Sequence, residues 1–196
     1  MAVVGADEFT SALPLEVVMD PSTLLVYEMN GEVLPREHGY PARLLVPNRY
    51  GMKNAKWVVG LRLIQHEFSD WYGRRNWSKT ALVRTMCRID IPAPAAILAP
   101  GEHILAGIAY AGSRGIQRVE FSMNGGESWE VATLSESEDR HDRWVAWHAQ
   151  FSVTPGADAT FVARATDGMG ELQTEGFSLP EPEGGTGWPR LAVRAS

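Results

Sequence analysis

The residues best suited to chemistry lie close together. His38-Gly39-Tyr40-Pro41-Ala42-Arg43 is followed, after Leu44-Leu45, by Val46-Pro47-Asn48-Arg49-Tyr50-Gly51-Met52-Lys53-Asn54-Ala55-Lys56-Trp57. Glycine and proline keep the first segment off any regular face, so His38 and Arg43 are presented from a loop. Arginine offers a planar two-pronged donor, lysine a compact charge, and histidine a donor or acceptor that depends on its tautomer. His38, Arg43, Lys53 and Lys56 are therefore the groups needed to hold a phosphate and the heteroatom edge of a ring. The same residues also suit a solvated structural loop, and their types alone leave both readings open.

The charge distribution gives context. The 196-residue chain carries a net charge of −6, which argues against nucleic acid as its main partner. Residues 1–98 hold a balance of +1 and residues 99–196 one of −7. The stretch from Arg36 to Arg88 contains every basic residue of the first half, against Glu37, Glu67 and Asp70, and carries +8. A cationic belt in an acidic protein points to a small anionic ligand, or simply to a solvated basic face. No apolar run approaches the ~20 residues needed to span a bilayer, and no basic-then-apolar leader opens the chain. The chain as given is expected to be soluble, its compartment open and a membrane-anchored parent compatible with it.

Cys87 is the only cysteine, so no internal disulfide and no cysteine-cluster metal site can form. Beside Met86 it reads as a small buried hydrophobe. His66, His103, His141 and His148 share no metal-ligand spacing, and no metal site is expected within the chain. G-x-S-x-G, P-loop and G-x-G-x-x-G elements are absent from the sequence.

The elements that must position these groups are mainly strands. Ala2-Val3-Val4 reads as a strand stub, and Ser11 to Glu16 as the start of a helix with Pro14 in its first turn. Leu24 to Met29 is a strand, Asn30-Gly31 a tight hairpin turn, and Glu32-Val33-Leu34 the return strand. Leu44 to Val46 and Trp57 to Ile64 follow as strands, and Phe68 to Arg88 reads as a traversing segment. Ile91-Pro92-Ala93-Pro94-Ala95-Ala96 is the clearest linker, which places a domain boundary there, between 1–90 and 91–196.

Beyond it, apolar residues alternate over His103–Ala111, Ile116–Met123, Ser128–Leu134, Arg143–Val153 and Thr160–Ala165. Asn124-Gly125-Gly126, Pro155-Gly156 and Asp167-Gly168 supply turns, and Leu191–Val193 closes the set. This spacing, with no helical period, predicts an immunoglobulin-like sandwich. Without a disulfide, its core is expected from Trp129, Trp144, Trp147, Phe121, Phe151 and Phe161.

Met29-Asn30-Gly31-Glu32-Val33-Leu34-Pro35, then His38 to Arg43, then Lys56-Trp57, resembles the signature of the sulfite oxidase family of molybdopterin enzymes. The match runs over nearly thirty residues and combines residue types that are unusual together. The resemblance implies that His38, Arg43 and the segment Asn54-Ala55-Lys56 bind the pterin cofactor, and Lys53 joins them as a cofactor-binding candidate by its charge and position. Ser122-Met123-Asn124-Gly125-Gly126-Glu127-Ser128-Trp129 is similar to the Asp-box hairpin of sialidase propellers, but a propeller would repeat it. The family's dimerisation domain carries a similar hairpin, and the motif reads as architectural. Gly187-Trp188-Pro189-Arg190 is similar to the family's C-terminal Trp-x-Arg, which implies that Arg190 contacts an anionic substrate.

The fold so implied is mainly β: part of an α+β cofactor domain over 1–90, then an immunoglobulin-like dimerisation domain over 91–196. The implied activity is oxygen-atom transfer at a molybdenum-molybdopterin cofactor, to a small anion such as sulfite. A homodimer and an unspecified electron acceptor are the implied partners. The resemblance starts partway into the family pattern, after the segment whose cysteine thiolate ligates molybdenum, and Cys87 falls too late to replace it. The chain is thus expected to be a fragment, or half of a split enzyme, and inactive alone. A reading of a different class is a non-catalytic dimerisation or interaction module.

Overall fold

A computed structural model describes residues 1–136, 141–156 and 158–195. The chain divides into two compact units, Met1–Val83 with Pro180–Gly184, and Arg84–Leu179 with Gly185–Ser196.

In the first unit, strands β1 (Ala2–Gly5) and β2 (Thr10–Ala12) pair antiparallel. A single helical turn, α1 (Leu15–Val18), follows Pro14, which stands at its N-cap with extended backbone. Strand β3 (Leu24–Val26) leads into the hairpin of β4 (Glu28–Met29) and β5 (Glu32–Val33). Asn30 and Gly31 both take positive φ, 56° and 81°, as the tight turn between right-twisted strands demands. Strand β6 (Arg43–Leu45) pairs with β3, and β7 (Val58–Arg62) completes the sheet β2-β1-β7. Val3, Leu13, Leu44, Val46 and Ala55 form the core of this unit.

The second unit is a two-sheet sandwich. Strands β8 (Met86–Ile91), β9 (Ile97–Leu98), β10 (Gly101–Tyr110), β11 (Ile116–Ser122), β12 (Glu130–Val131), β13 (Thr133–Leu134), β14 (Val145–Val153), β15 (Ala159–Asp167) and β16 (Arg190–Ala195) build it. One sheet runs β13-β14-β10-β8 and the other β12-β11-β15-β16-β9. The segment from Glu130 to Leu134 serves both: β12 pairs with β11, β13 pairs with β14, and buried Ala132 sits between them. Strand β14 alternates strictly, burying Val145, Trp147, Ala149 and Phe151. Opposite Trp147 stands Gly107, where a Cβ would lie 1.8 Å from the Arg88 carbonyl oxygen and 3.0 Å from the Trp147 ring. Only glycine fits there.

The chain is mainly β, as its pattern indicates. Two details differ from expectation. Met86–Ile91 pairs along β10, so the sandwich unit begins at Arg84, ahead of the proline linker. Trp147, Phe121, Phe151 and Phe161 are buried, but Trp144 is 60% exposed and stacks on Tyr110 outside the core. Trp129 is half-buried beneath the Arg164 guanidinium, which lies 3.8 Å from its ring. No helix among the described residues is long and apolar enough to cross a membrane.

Candidate functional site

His38 ends a single 3-10 turn, Arg36–His38, capped by Gly39 in a left-handed conformation at φ 119°. The turn folds the loop back on itself, and Arg43 Nη1 donates to the His38 carbonyl at 3.3 Å. Gly39 lies between two cationic side chains: a Cβ there would come 3.0 Å from Arg43 Cβ and 3.2 Å from Lys56 Cβ. Lys56 Nζ donates to the Glu37 carbonyl at 2.9 Å and lies 4.4 Å from the centre of the Trp57 ring. The His38 loop, Arg43 and Lys56 thus surround one glycine. Among the described residues, neither Arg43 nor Lys56 pairs with a carboxylate. Arg43 Nε is buried with no hydrogen-bond partner, a donor that an anion would satisfy.

Trp57 is held unusually. Its φ is 51°, a left-handed conformation that costs a bulky residue on the order of 1–3 kcal/mol. Its indole Nε1 donates to the Arg36 carbonyl at 2.8 Å, and its backbone N–H to the Gly39 carbonyl at 3.3 Å. Lys56 and Trp57, with Asp7, Phe9, Ala55 and Tyr72, help to line a cleft of about 190 Å³. His38 and Arg43 are not among its lining residues.

The other members of the Lys-Trp segment are turned to structural use. Lys53, grouped with Lys56 by sequence, is only 2% exposed and binds Asp70 Oδ2 at 2.6 Å. Asn54 Oδ1 accepts from Val46 N at 2.7 Å, and its Nδ2 donates to the carbonyls of Arg49 and Tyr50. Ala55 is buried in the core, and its carbonyl accepts from Leu44 N. The residue that sequence reading missed is Asp70. Its signal was its rarity, as one of three acids in the basic stretch, and a second of them, Glu67, pairs with Lys79.

Arg190 opens β16, donates through Nη1 to the Gly125 carbonyl at 3.0 Å, and stands 3.8 Å from Glu175. Its guanidinium already has partners within the sandwich. Cys87 lies in the sandwich core, where burial pushes its thiol up to about 12, so it is not a thiolate at neutral pH.

Residues 1–72 match the family model described as the oxidoreductase molybdopterin binding domain, and residues 72–179 that of the Mo-co oxidoreductase dimerisation domain. The chain belongs to the sulfite oxidase family of molybdopterin oxidoreductases. The mitochondrial sulfite oxidase of Macaca fascicularis is 32% identical, over 81% of this chain and 34% of its own length. The sulfite oxidase of Arabidopsis thaliana is 28% identical, over 95% of this chain and 55% of its own length. Among solved structures, the sulfane dehydrogenase SoxCD from Paracoccus pantotrophus is similar with a TM-score of 0.81 and 26% identity, over 98% of this chain and 54% of that one. The chain therefore spans between about a third and about half of these relatives.

The family's enzymes carry a molybdenum cofactor. The residues here fit its anionic, pterin-bearing part: two cations without carboxylate partners, and a buried guanidinium nitrogen without an acceptor.

Proposed function

We propose that this chain supplies part of the cofactor-binding wall, and the dimerisation module, of an enzyme that transfers an oxygen atom to a small anion such as sulfite. The observation that carries the reading is the placement of Arg43 and Lys56 on either side of Gly39, with the His38 loop beside them. Arg43 and Lys56 bind the cofactor's phosphate by charge-assisted hydrogen bonds. His38, exposed on the same loop, donates to or accepts from the heteroatom edge of the ring. The cofactor, when bound, supplies the oxygen-transfer and two-electron chemistry. The chain's own contribution is placement and positive potential. Asn54 and Ala55 serve this by holding the Lys56 backbone.

In this reading the 196 residues are inactive by themselves, since their one thiol is a buried core group. The sandwich assembles the enzyme as a two-fold dimer. The match of residues 72–179 to a dimerisation domain also supports a second use, as an interaction module independent of catalysis. The test is cofactor content, read as molybdenum and as released pterin, in the purified enzyme carrying His38→Ala, Arg43→Ala or Lys56→Ala. Loss in all three supports the reading. Full retention in all three leaves only the interaction module.

A further inference from the structure

We propose that Lys53 and Asp70 form a buried clamp that positions Lys56 for the cofactor anion, so that Lys53 acts through Lys56 and does not touch the ligand. The inference rests on the reading above that Lys56 binds the cofactor.

The pair is almost wholly buried, at the wall of a cleft of about 370 Å³. Lys53 Nζ lies 2.6 Å from Asp70 Oδ2, with side-chain exposures of 2% and 5%. Both carboxylate oxygens have further partners: Asp70 Oδ2 also accepts from Ala12 N at 3.0 Å, and Oδ1 accepts from Gly73 N at 2.7 Å. Lys53 Nζ donates in addition to the Ala12 carbonyl at 3.3 Å. Three separate segments, β2, the 3-10 turn Gly51–Lys53 and the turn after Asp70, are thus tied at one point.

A buried ion pair is weak evidence of added stability, because desolvating both charges offsets most of their attraction. Its distinctive property is direction. Lys53 fixes the end of the 3-10 turn, and Asn54 is then held by its three side-chain bonds. On the far side, Trp57 is anchored to Arg36 and Gly39 in a left-handed conformation that only a well-determined surrounding maintains. Lys56 therefore projects from a short span fixed at both ends. A ligand role for Lys53 itself would require its ammonium to give up Asp70.

The test compares Lys53→Met, Asp70→Asn, the double variant, Lys56→Ala, and Lys56→Ala combined with Lys53→Met, all in the holoenzyme. Three quantities are read: pterin released per polypeptide, hydrogen exchange at the amides of residues 54–57, and thermal stability. Lys53→Met and Asp70→Asn are each expected to lower cofactor content several-fold and to speed exchange at 54–57. The neutral double variant should recover thermal stability without recovering cofactor. Lys56→Ala should cost about tenfold alone and little more on top of Lys53→Met, since coupled residues are not additive.

Two results overturn the clamp while leaving the Lys56 reading intact. One is Asp70→Asn retaining full cofactor where Lys53→Met loses it, which makes Lys53 a direct ligand. The other is recovery of cofactor together with stability in the neutral double variant, which makes the pair purely structural. Unchanged cofactor in Lys56→Ala overturns the underlying reading as well, and is told apart by that single variant.

Discussion

Gly39 and Lys56 approach so closely that a Cβ on the glycine would stand 3.2 Å from that of the lysine, with Arg43 Cβ at 3.0 Å on its other side. The glycine's φ of 119° is also one that L side chains rarely adopt. Gly39→Ala is therefore expected to cost on the order of 1–3 kcal/mol of backbone strain and to splay the two cations. Cofactor content should fall further than in a control of equal stability loss made in the sandwich. Equal losses in the two would assign Gly39 to folding alone.

Arg43 carries the sharpest prediction on affinity. A charge-assisted hydrogen bond is worth about 1.5–3 kcal/mol, so Arg43→Ala should lose cofactor by about tenfold or more. Arg43→Lys restores the charge without the planar fork and should be partly defective. Arg74 and Arg75 lie in the same basic stretch, but their guanidinium groups bond to the backbone carbonyls of Ser69 and Trp71. Their alanine variants should keep full cofactor, and a deficit there would point to diffuse charge as the cause.

Stability of the sandwich should depend on acid through Asp167. Burial alone would raise its pKa, but hydrogen bonds from Arg114, the Glu171 amide, Thr85 and the Met169 amide outweigh this and hold it below the usual carboxylate range. Arg114 Nε donates to it at 2.7 Å. A depressed folded-state pKa gives stability that is present above the unfolded value of about 3.9 and is lost as pH falls through the folded one. Unfolding midpoints of the wild type should drop as pH falls below about 4. Asp167→Asn should be less stable at neutral pH by roughly 3 kcal/mol, with a flatter acid limb.

Cys87 should prove irrelevant to the metal. Its thiol is buried in the sandwich core with its pKa pushed up to about 12. Cys87→Ala in the holoenzyme should leave molybdenum content unchanged and lower stability by about 1 kcal/mol. The 196-residue chain purified by itself should hold no stoichiometric molybdenum; finding it would demand a different ligand assignment.

Self-association is the test of the second unit. Sedimentation of the chain at micromolar concentration should show a defined dimer, in keeping with its match to a dimerisation domain. Monomer alone well above that concentration would count against the dimer, and broad, polydisperse aggregation would not support it.

The sequence by itself determined the elements whose signals are local. Alternation over Val145–Val153 marked a strand with one buried face, and Asn30-Gly31 marked a turn that needs positive φ twice. The spacing from Met29 to Trp57 carried the family resemblance, because the groups involved sit close along the chain. Tertiary structure alone decided which way equivalent charges face. Lys53 and Lys56 read alike three residues apart, yet one is buried against Asp70, seventeen residues on, and the other reaches the Gly39 loop. Trp144 and Trp147 likewise read as core partners, and only sheet packing puts one outside. Such outcomes depend on distant partners that offer a charge or a cavity, and composition and periodicity report only on neighbours along the chain.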